Sequence, residues 1–195
     1  MTEDEVLQEF RDAGALLEGH FVLTSGLHSP KYLQCARVMM DAKRAERLCR
    51  ALRDKVSERI GGDISLVASP AMGGVVVGYE MGRQLGVPAV FFERVDGVLT
   101  LRRGFDIEPG TTCLMVEDIV TTGLSSRECI AAIETLGGKV AGACCLIDRS
   151  GGKAELDVPF VALAEVEIPT YEEHNIPEGL ARIGAIKPGS RNLSK

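Results

Sequence analysis

Tryptophan is absent from the 195 residues, and histidine occurs three times, at positions 20, 28 and 174. None of the three sits in an HExxH string or at His/Cys ligand spacing, which speaks against a transition-metal centre held by the protein. The six cysteines, at 35, 49, 113, 129, 144 and 145, form no CxxC pair. Several fall inside apolar runs, where a free thiol behaves as a small hydrophobe, so reduced and buried thiols are expected rather than disulfides. No apolar run approaches the roughly 20 residues that span a bilayer. An excess of positive charge is also missing: 22 Lys and Arg face 28 Asp and Glu, for a formal net charge of −6. Nucleic acid is therefore a poor principal partner, because its binding rests on neutralising many phosphates, whereas a small phosphorylated ligand needs only a few local cations. The GxxxxGK[ST] string of P-loop proteins does not occur. The opening MTEDEVLQEF is acidic and amphipathic, the opposite of a basic, apolar signal peptide, and so predicts the cytoplasm. With no internal repeat or low-complexity tract, residues 1–195 suit one domain with a real core.

What is present reads as alternating strands and helices. Thr2 and Glu5 form a capping box, and Val6, Phe10, Ala13 and Leu17 recur at helical spacing, predicting a helix to about Leu17 that Gly19 ends. HFVLTSGLHSPKYLQ reads as a hairpin broken at Ser25–Gly26, with a turn at Ser29–Pro30 and a strand resuming near Tyr32. Asp41 caps a long helix striped by Ala45, Leu48, Cys49, Leu52, Val56 and Ile60, stopped by Gly61–Gly62. ISLVASP, a glycine turn, a helix and PAVFFER follow, which predicts a parallel sheet flanked by helices. Between Arg94 and Phe105, Asp96–Gly97 is a strong hairpin signal. TCLMVED and VAGACCLID are further buried strands around a helix ending at Gly137–Gly138, VPFVALAEVEIPTY is a last strand, and KPGSRNLSK is expected to be a flexible tail.

The stretch Leu114 to Ser126, LMVEDIVTTGLSS, carries the chemistry. An apolar strand ends in Glu117 and Asp118, then breaks into a hydroxyl- and glycine-rich turn at a helix start. Backbone N–H groups of Thr121, Thr122, Gly123, Leu124 and Ser125 can converge on a phosphate there, where unpaired donors and the positive end of the helix dipole coincide. Carboxylates beside such a loop suit the vicinal hydroxyls of a sugar. Gly123, Gly73 and Gly74 allow close backbone approach.

VEDIVTTG resembles the phosphoribosyl pyrophosphate (PRPP) signature of type I phosphoribosyltransferases. The resemblance implies that family's fold, a mainly parallel α/β sheet flanked by helices with a small N-terminal hood from about 1–40. It further implies a PRPP site of Glu117, Asp118, Ile119, Val120, Thr121, Thr122, Gly123, Leu124 and Ser125, with Gly73 at the pyrophosphate. Phe21, Leu23, Ser25, Gly26, Ser29, Pro30 and Tyr32 match the hood of the orotate phosphoribosyltransferases, one branch of that family. That match implies an orotate side of Ser25, Gly26, Lys31, Tyr32 and Thr121. Arg149, just past a buried strand in the family's DR context, joins it; its planar fork suits a carboxylate beside a carbonyl. Three departures from the family pattern stand out: Thr24 and Gly73 replace lysines, and TLRRGF replaces the lid motif of Lys, Lys, His and Gly. Arg94, Arg102 and Arg103, in a lid hairpin at about 94–105, are expected to compensate and, with Asp118, to be the catalytic groups. The implied activity is Mg²⁺-dependent transfer from PRPP to orotate. The magnesium is carried by PRPP and touched by Glu117 or Asp118 through water, in a homodimer with shared sites, with no membrane or nucleic-acid partner. Transfer to another base such as a purine, or PRPP sensing without catalysis, are the alternatives.

Overall fold

The computed structural model describes residues 1–23 and 26–187, so Thr24, Ser25 and the tail from 188 lie outside the described residues. Among the described residues, eight strands form two sheets. A two-stranded antiparallel hood pairs β1 (Leu16–Val22) with β2 (His28–Leu33). The main sheet has the order β5-β4-β3-β6-β7-β8, built from β3 (Leu66–Pro70), β4 (Ala89–Val95), β5 (Val98–Leu101), β6 (Thr112–Val120), β7 (Lys139–Asp148) and β8 (Phe160–Glu165). All its pairings are parallel except that of β4 with β5. The helices are α1 (Glu3–Asp12), α2 (Cys35–Met39), α3 (Ala42–Arg59), α4 (Gly73–Leu85), α5 (Leu124–Thr135) and α6 (Glu178–Ala181).

Alternation along the strands sorts the core into two layers. Val67, Leu114, Val116, Leu146 and Leu163 pack with Leu48 and Leu52 of α3 and Val77 and Met81 of α4. Their neighbours in sequence, Leu66, Ala68, Cys113 and Met115, pack instead with Cys129, Ile130 and Ile133 of α5. Adjacent residues on β6 therefore face opposite helices, a point that governs the site below.

One stripe on α4 sets how closely that helix lies on the sheet. A Cβ at Gly74 would come within 3.1 Å of Ser69 Cβ, one at Gly78 within 2.6 Å of Ser69 Oγ, and one at Gly82 within 2.9 Å of Ala89 Cβ. The glycines at i, i+4 and i+8 leave room for β3 and β4, and in the case of Gly74 the close approach serves packing. Gly78→Ala should cost about 1–3 kcal/mol by overpacking, measured as the urea midpoint of wild type against variant. An unchanged midpoint would contradict this packing.

Two local expectations are corrected. The first helix stops at Asp12, not Leu17, because Gly14 takes φ 59° and reverses the chain, while Ala15 N–H donates to Phe10 O. Leu17 then joins β1 opposite Tyr32. Ser29 and Pro30 do not turn the chain: both lie within β2. The ladder shifts register between Glu18 and Phe21, so Pro30, which has no N–H, faces a bulge in β1. The second hairpin forms as Asp96–Gly97 predicts, with Val95 opposite Val98 and both turn residues at positive φ, 49° and 87°, as a type I′ turn requires.

Backbone bonds stitch the hood to the C-terminal segment: Val22 N–H to Ile186 O, Ile186 N–H to His20 O, and a reciprocal pair between His28 and Tyr171. The ring nitrogens of His20 and His28 lie 2.6 Å apart, and His20 also meets Ile183 O at 2.9 Å. No helix among the described residues is long and apolar enough to cross a membrane.

Candidate functional site

β6 runs into the turn 121–123 and α5, and its last residues stay in the ladder with β7: Ile119 opposite Ile147, Val120 opposite Asp148. Beyond them the pairing ends. Among the described residues, the backbone N–H groups of Thr121, Thr122, Gly123 and Ser125 meet no acceptor, and that of Leu124 meets Thr122 Oγ1 at a long 3.4 Å. Unmet amides at a helix N-terminus are what an anion binds. Gly123 takes φ 73°, and a Cβ there would lie 2.9 Å from Leu156 and 3.0 Å from Arg127 Nη1. Arg127 braces the turn from behind, its Nη1 donating to Thr122 O and Glu155 O at 3.1 Å each.

The two acids diverge from one another. Glu117 faces α5, where the Ser126 hydroxyl donates to its Oε2. Asp118 faces α4: both its carboxylate oxygens lie 2.6 Å from where a Cβ on Gly73 would stand, and its Oδ1 accepts Ile119 N–H at 2.9 Å. Any side chain at position 73 would displace that carboxylate, so the glycine turn and Asp118 fit each other. Neither acid makes an ion pair with a described residue. Burial raises both. Asp118 rises despite its backbone hydrogen bonds. Glu117 is pushed up to about 7 by burial, with the Ser126 hydroxyl opposing and the Asp118 charge adding to the rise.

Between an ordinary 4.5 and about 7, folded Glu117 keeps a proton that the unfolded chain has released. The folded state therefore loses stability as pH rises through that window, and the full cost is present above it. Glu117→Gln removes the titration, so the thermal midpoint of wild type relative to this variant should fall from pH 4.5 to 7. A constant difference would contradict the buried placement.

Tyr32 and Arg149 complete the cluster. Burial first, and then the Asp118 charge, raise the Tyr32 phenol, while Arg149 opposes them. Burial lowers the Arg149 guanidinium, and Tyr32 opposes this. Arg149 follows β7 directly, its N–H bonded to Val120 O at 2.8 Å, and its side-chain Nε is buried without a hydrogen-bond partner among the described residues. A buried donor without a partner is uncommon in folded proteins, and it leaves Arg149 able to bond an incoming acceptor. The Tyr32 ring rests against Phe21, centroids 5.8 Å apart. The hood, the turn 121–123 and the strand-end arginine thus meet at the C-terminal edge of the sheet, where open parallel sheets bind ligands.

Other expected residues lie elsewhere. Lys31 Nζ pairs across the hood with Glu18 at 3.3 Å, and alternation along β2 puts it on the face opposite Tyr32. Gly26 is exposed in the hood turn, and Ser25 is outside the described residues. Arg94 binds Glu128 and Gly97 O, Arg103 binds Glu93 by two nitrogens at 3.0 and 2.7 Å, and Arg102 is exposed. Their hairpin lies on β4 and β5, and β5 is three strands from β6, about 14 Å at ordinary spacing. Leu99 is buried against the α5 layer, so the hairpin is packed into the sheet. Ser126 and Arg127 are the residues that reading the sequence missed: each acts across a strand-to-helix break that no local spacing reveals.

Residues 39–181 match the family model described as "Phosphoribosyl transferase domain". The chain belongs to the phosphoribosyltransferase family. Among phosphoribosyltransferases it is 58% identical over 191 residues to the orotate phosphoribosyltransferase of Erythrobacter litoralis, covering 98% of this chain and 99% of that one. It is 55% identical over 193 residues to that of Caulobacter vibrioides, covering 99% of each. Its fold matches the crystal structure of orotate phosphoribosyltransferase from Aeropyrum pernix with a TM-score of 0.68 at 26% identity, over 83% of this chain and 93% of that one.

Proposed function

We propose that this phosphoribosyltransferase transfers the phosphoribosyl group of PRPP to N1 of orotate, releasing orotidine 5′-monophosphate and pyrophosphate in pyrimidine biosynthesis. The observation that carries the reading is the meeting of unmet amides at the α5 start with Asp118, Tyr32 and an Arg149 whose buried Nε lacks a partner. Phosphate sits on the amides of Thr121 to Ser125. Ribose hydroxyls donate to Glu117 and Asp118, and Gly73 leaves the pyrophosphate side open. Arg149 and Tyr32 orient the orotate carboxylate and ring edge. Displacement at the anomeric carbon passes through an oxocarbenium-like state, which a charged carboxylate nearby stabilises. Positioning does the rest, and no side-chain nucleophile is required.

Glu117 and Asp118 also fit Mg²⁺, being hard oxygen donors without a cationic partner among the described residues. When bound with PRPP, the ion offsets pyrophosphate charge. Arg94 on β4, two strands from β6, and Arg102 and Arg103 just past β5, three strands from it, do not line the site on their own chain, and in this reading they serve the site of a second copy in a homodimer. Six free, buried thiols suit a reducing cytoplasm.

Orotate absorbance, followed after mixing the protein with PRPP and Mg²⁺, tests the reading. Loss of absorbance is expected; turnover of adenine instead, or PRPP binding without turnover of any base, would overturn it.

A further inference from the structure

Ser126 is a fully buried polar residue on the first turn of α5, with 0% of its surface exposed. Its hydroxyl donates to Glu117 Oε2, and among the described residues no other group donates to that carboxylate. The rest of the surroundings are poor in donors. Cys129 lies one turn further along α5, Cys145 stands opposite Glu117 on β7, both are buried, and both feel the Glu117 charge. Ser126 itself has no exposed surface, so the hydroxyl reaches Glu117 from the protein side of the cleft and is not a solvent-facing contact. A flexible glutamate with one oxygen fixed presents the other in a single direction.

The bond also joins two halves of one cleft. Glu117 belongs to the strand and faces the ribose in the reading above, whereas Ser126 belongs to the helix whose preceding amides face the phosphate. We propose that Ser126 is a positioning residue, locking Glu117 to the first turn of α5 so that the ribose acceptor and the phosphate amides keep a fixed separation. This rests on the PRPP reading. Sugar phosphates, which engage both halves, depend on the lock; a bare phosphate, which engages only the amides, does not.

The test is calorimetric titration of ribose 5-phosphate and of inorganic phosphate into wild type, Ser126→Ala, Glu117→Gln and the double variant. Ser126→Ala should weaken ribose 5-phosphate about tenfold, as expected for one hydrogen bond to a charged group. Phosphate affinity should stay at the wild-type value. In the Glu117→Gln background the same serine change should cost nothing further, because its partner is gone. In turnover, the KM for PRPP should rise while that for orotate stays near wild type. Undiminished ribose 5-phosphate binding by Ser126→Ala, equal losses for both ligands, or additive losses in the double variant would overturn the role of Ser126 and leave the PRPP reading intact. Failure of wild type itself to bind ribose 5-phosphate would remove both.

Discussion

An Asp118→Asn protein should lose about two to three orders of magnitude in kcat, the usual cost of removing one preorganised electrostatic group from a transition state. The substitution is close to isosteric. Asparagine can still accept Ile119 N–H through its oxygen and still fits against Gly73, so the turn keeps its shape. Only the charge disappears. That charge is available for catalysis because no cation on a described residue neutralises it, and burial from water strengthens its effect on a developing positive centre. The comparison is His174→Ala, an exposed histidine whose partner is Glu172. It should turn over like wild type. Steady-state rates of the three proteins at saturating substrates make the test, and equal losses in the two variants would contradict the assignment.

The second large effect belongs to Arg149. Arg149→Ala should raise the KM for orotate by about two to three orders of magnitude, since it removes one partner of a desolvated, charge-assisted contact. Burial lowers the guanidinium, and Nε has no partner among the described residues, a donor that the orotate carboxylate would satisfy. Arg149→Lys should recover little, because an ammonium lacks the planar fork. The KM for PRPP should be nearly unchanged. An Arg149→Lys protein with wild-type orotate KM would show that simple charge suffices and that the fork does not matter.

Much of this was legible in the letters because several levels of pattern agreed. Asp41 caps α3 through its carboxylate as its position predicts, accepting Lys43 and Arg44 N–H, and the apolar stripe below it is buried from Ala45 to Val56. The Asp96–Gly97 hairpin and the β6 turn are local features fixed by a few residues. Failures came where tertiary contacts decided. Leu17 continues the helical spacing of Val6 and Phe10, yet Gly14 and pairing with Tyr32 put it in a strand. Pro30 reads as a turn until the bulge across from it is seen. At the site, the adjacent letters Glu117 and Asp118 suggest one clamp, whereas strand alternation sends one to α5 and the other to α4. Neither the serine that bonds Glu117 nor the arginine behind the turn 121–123 announces itself, because each partner is brought close only by the fold.

The central claim is that a sugar phosphate docks between the unmet amides of Thr121 to Ser125 and the two acids on β6. A crystal soaked with ribose 5-phosphate tests it most directly. The account predicts phosphate oxygens on those amides and ribose hydroxyls on Glu117 and Asp118, with Arg149 left facing an open base site. Phosphate bound elsewhere, or a turn closed by the protein's own side chains, would contradict it.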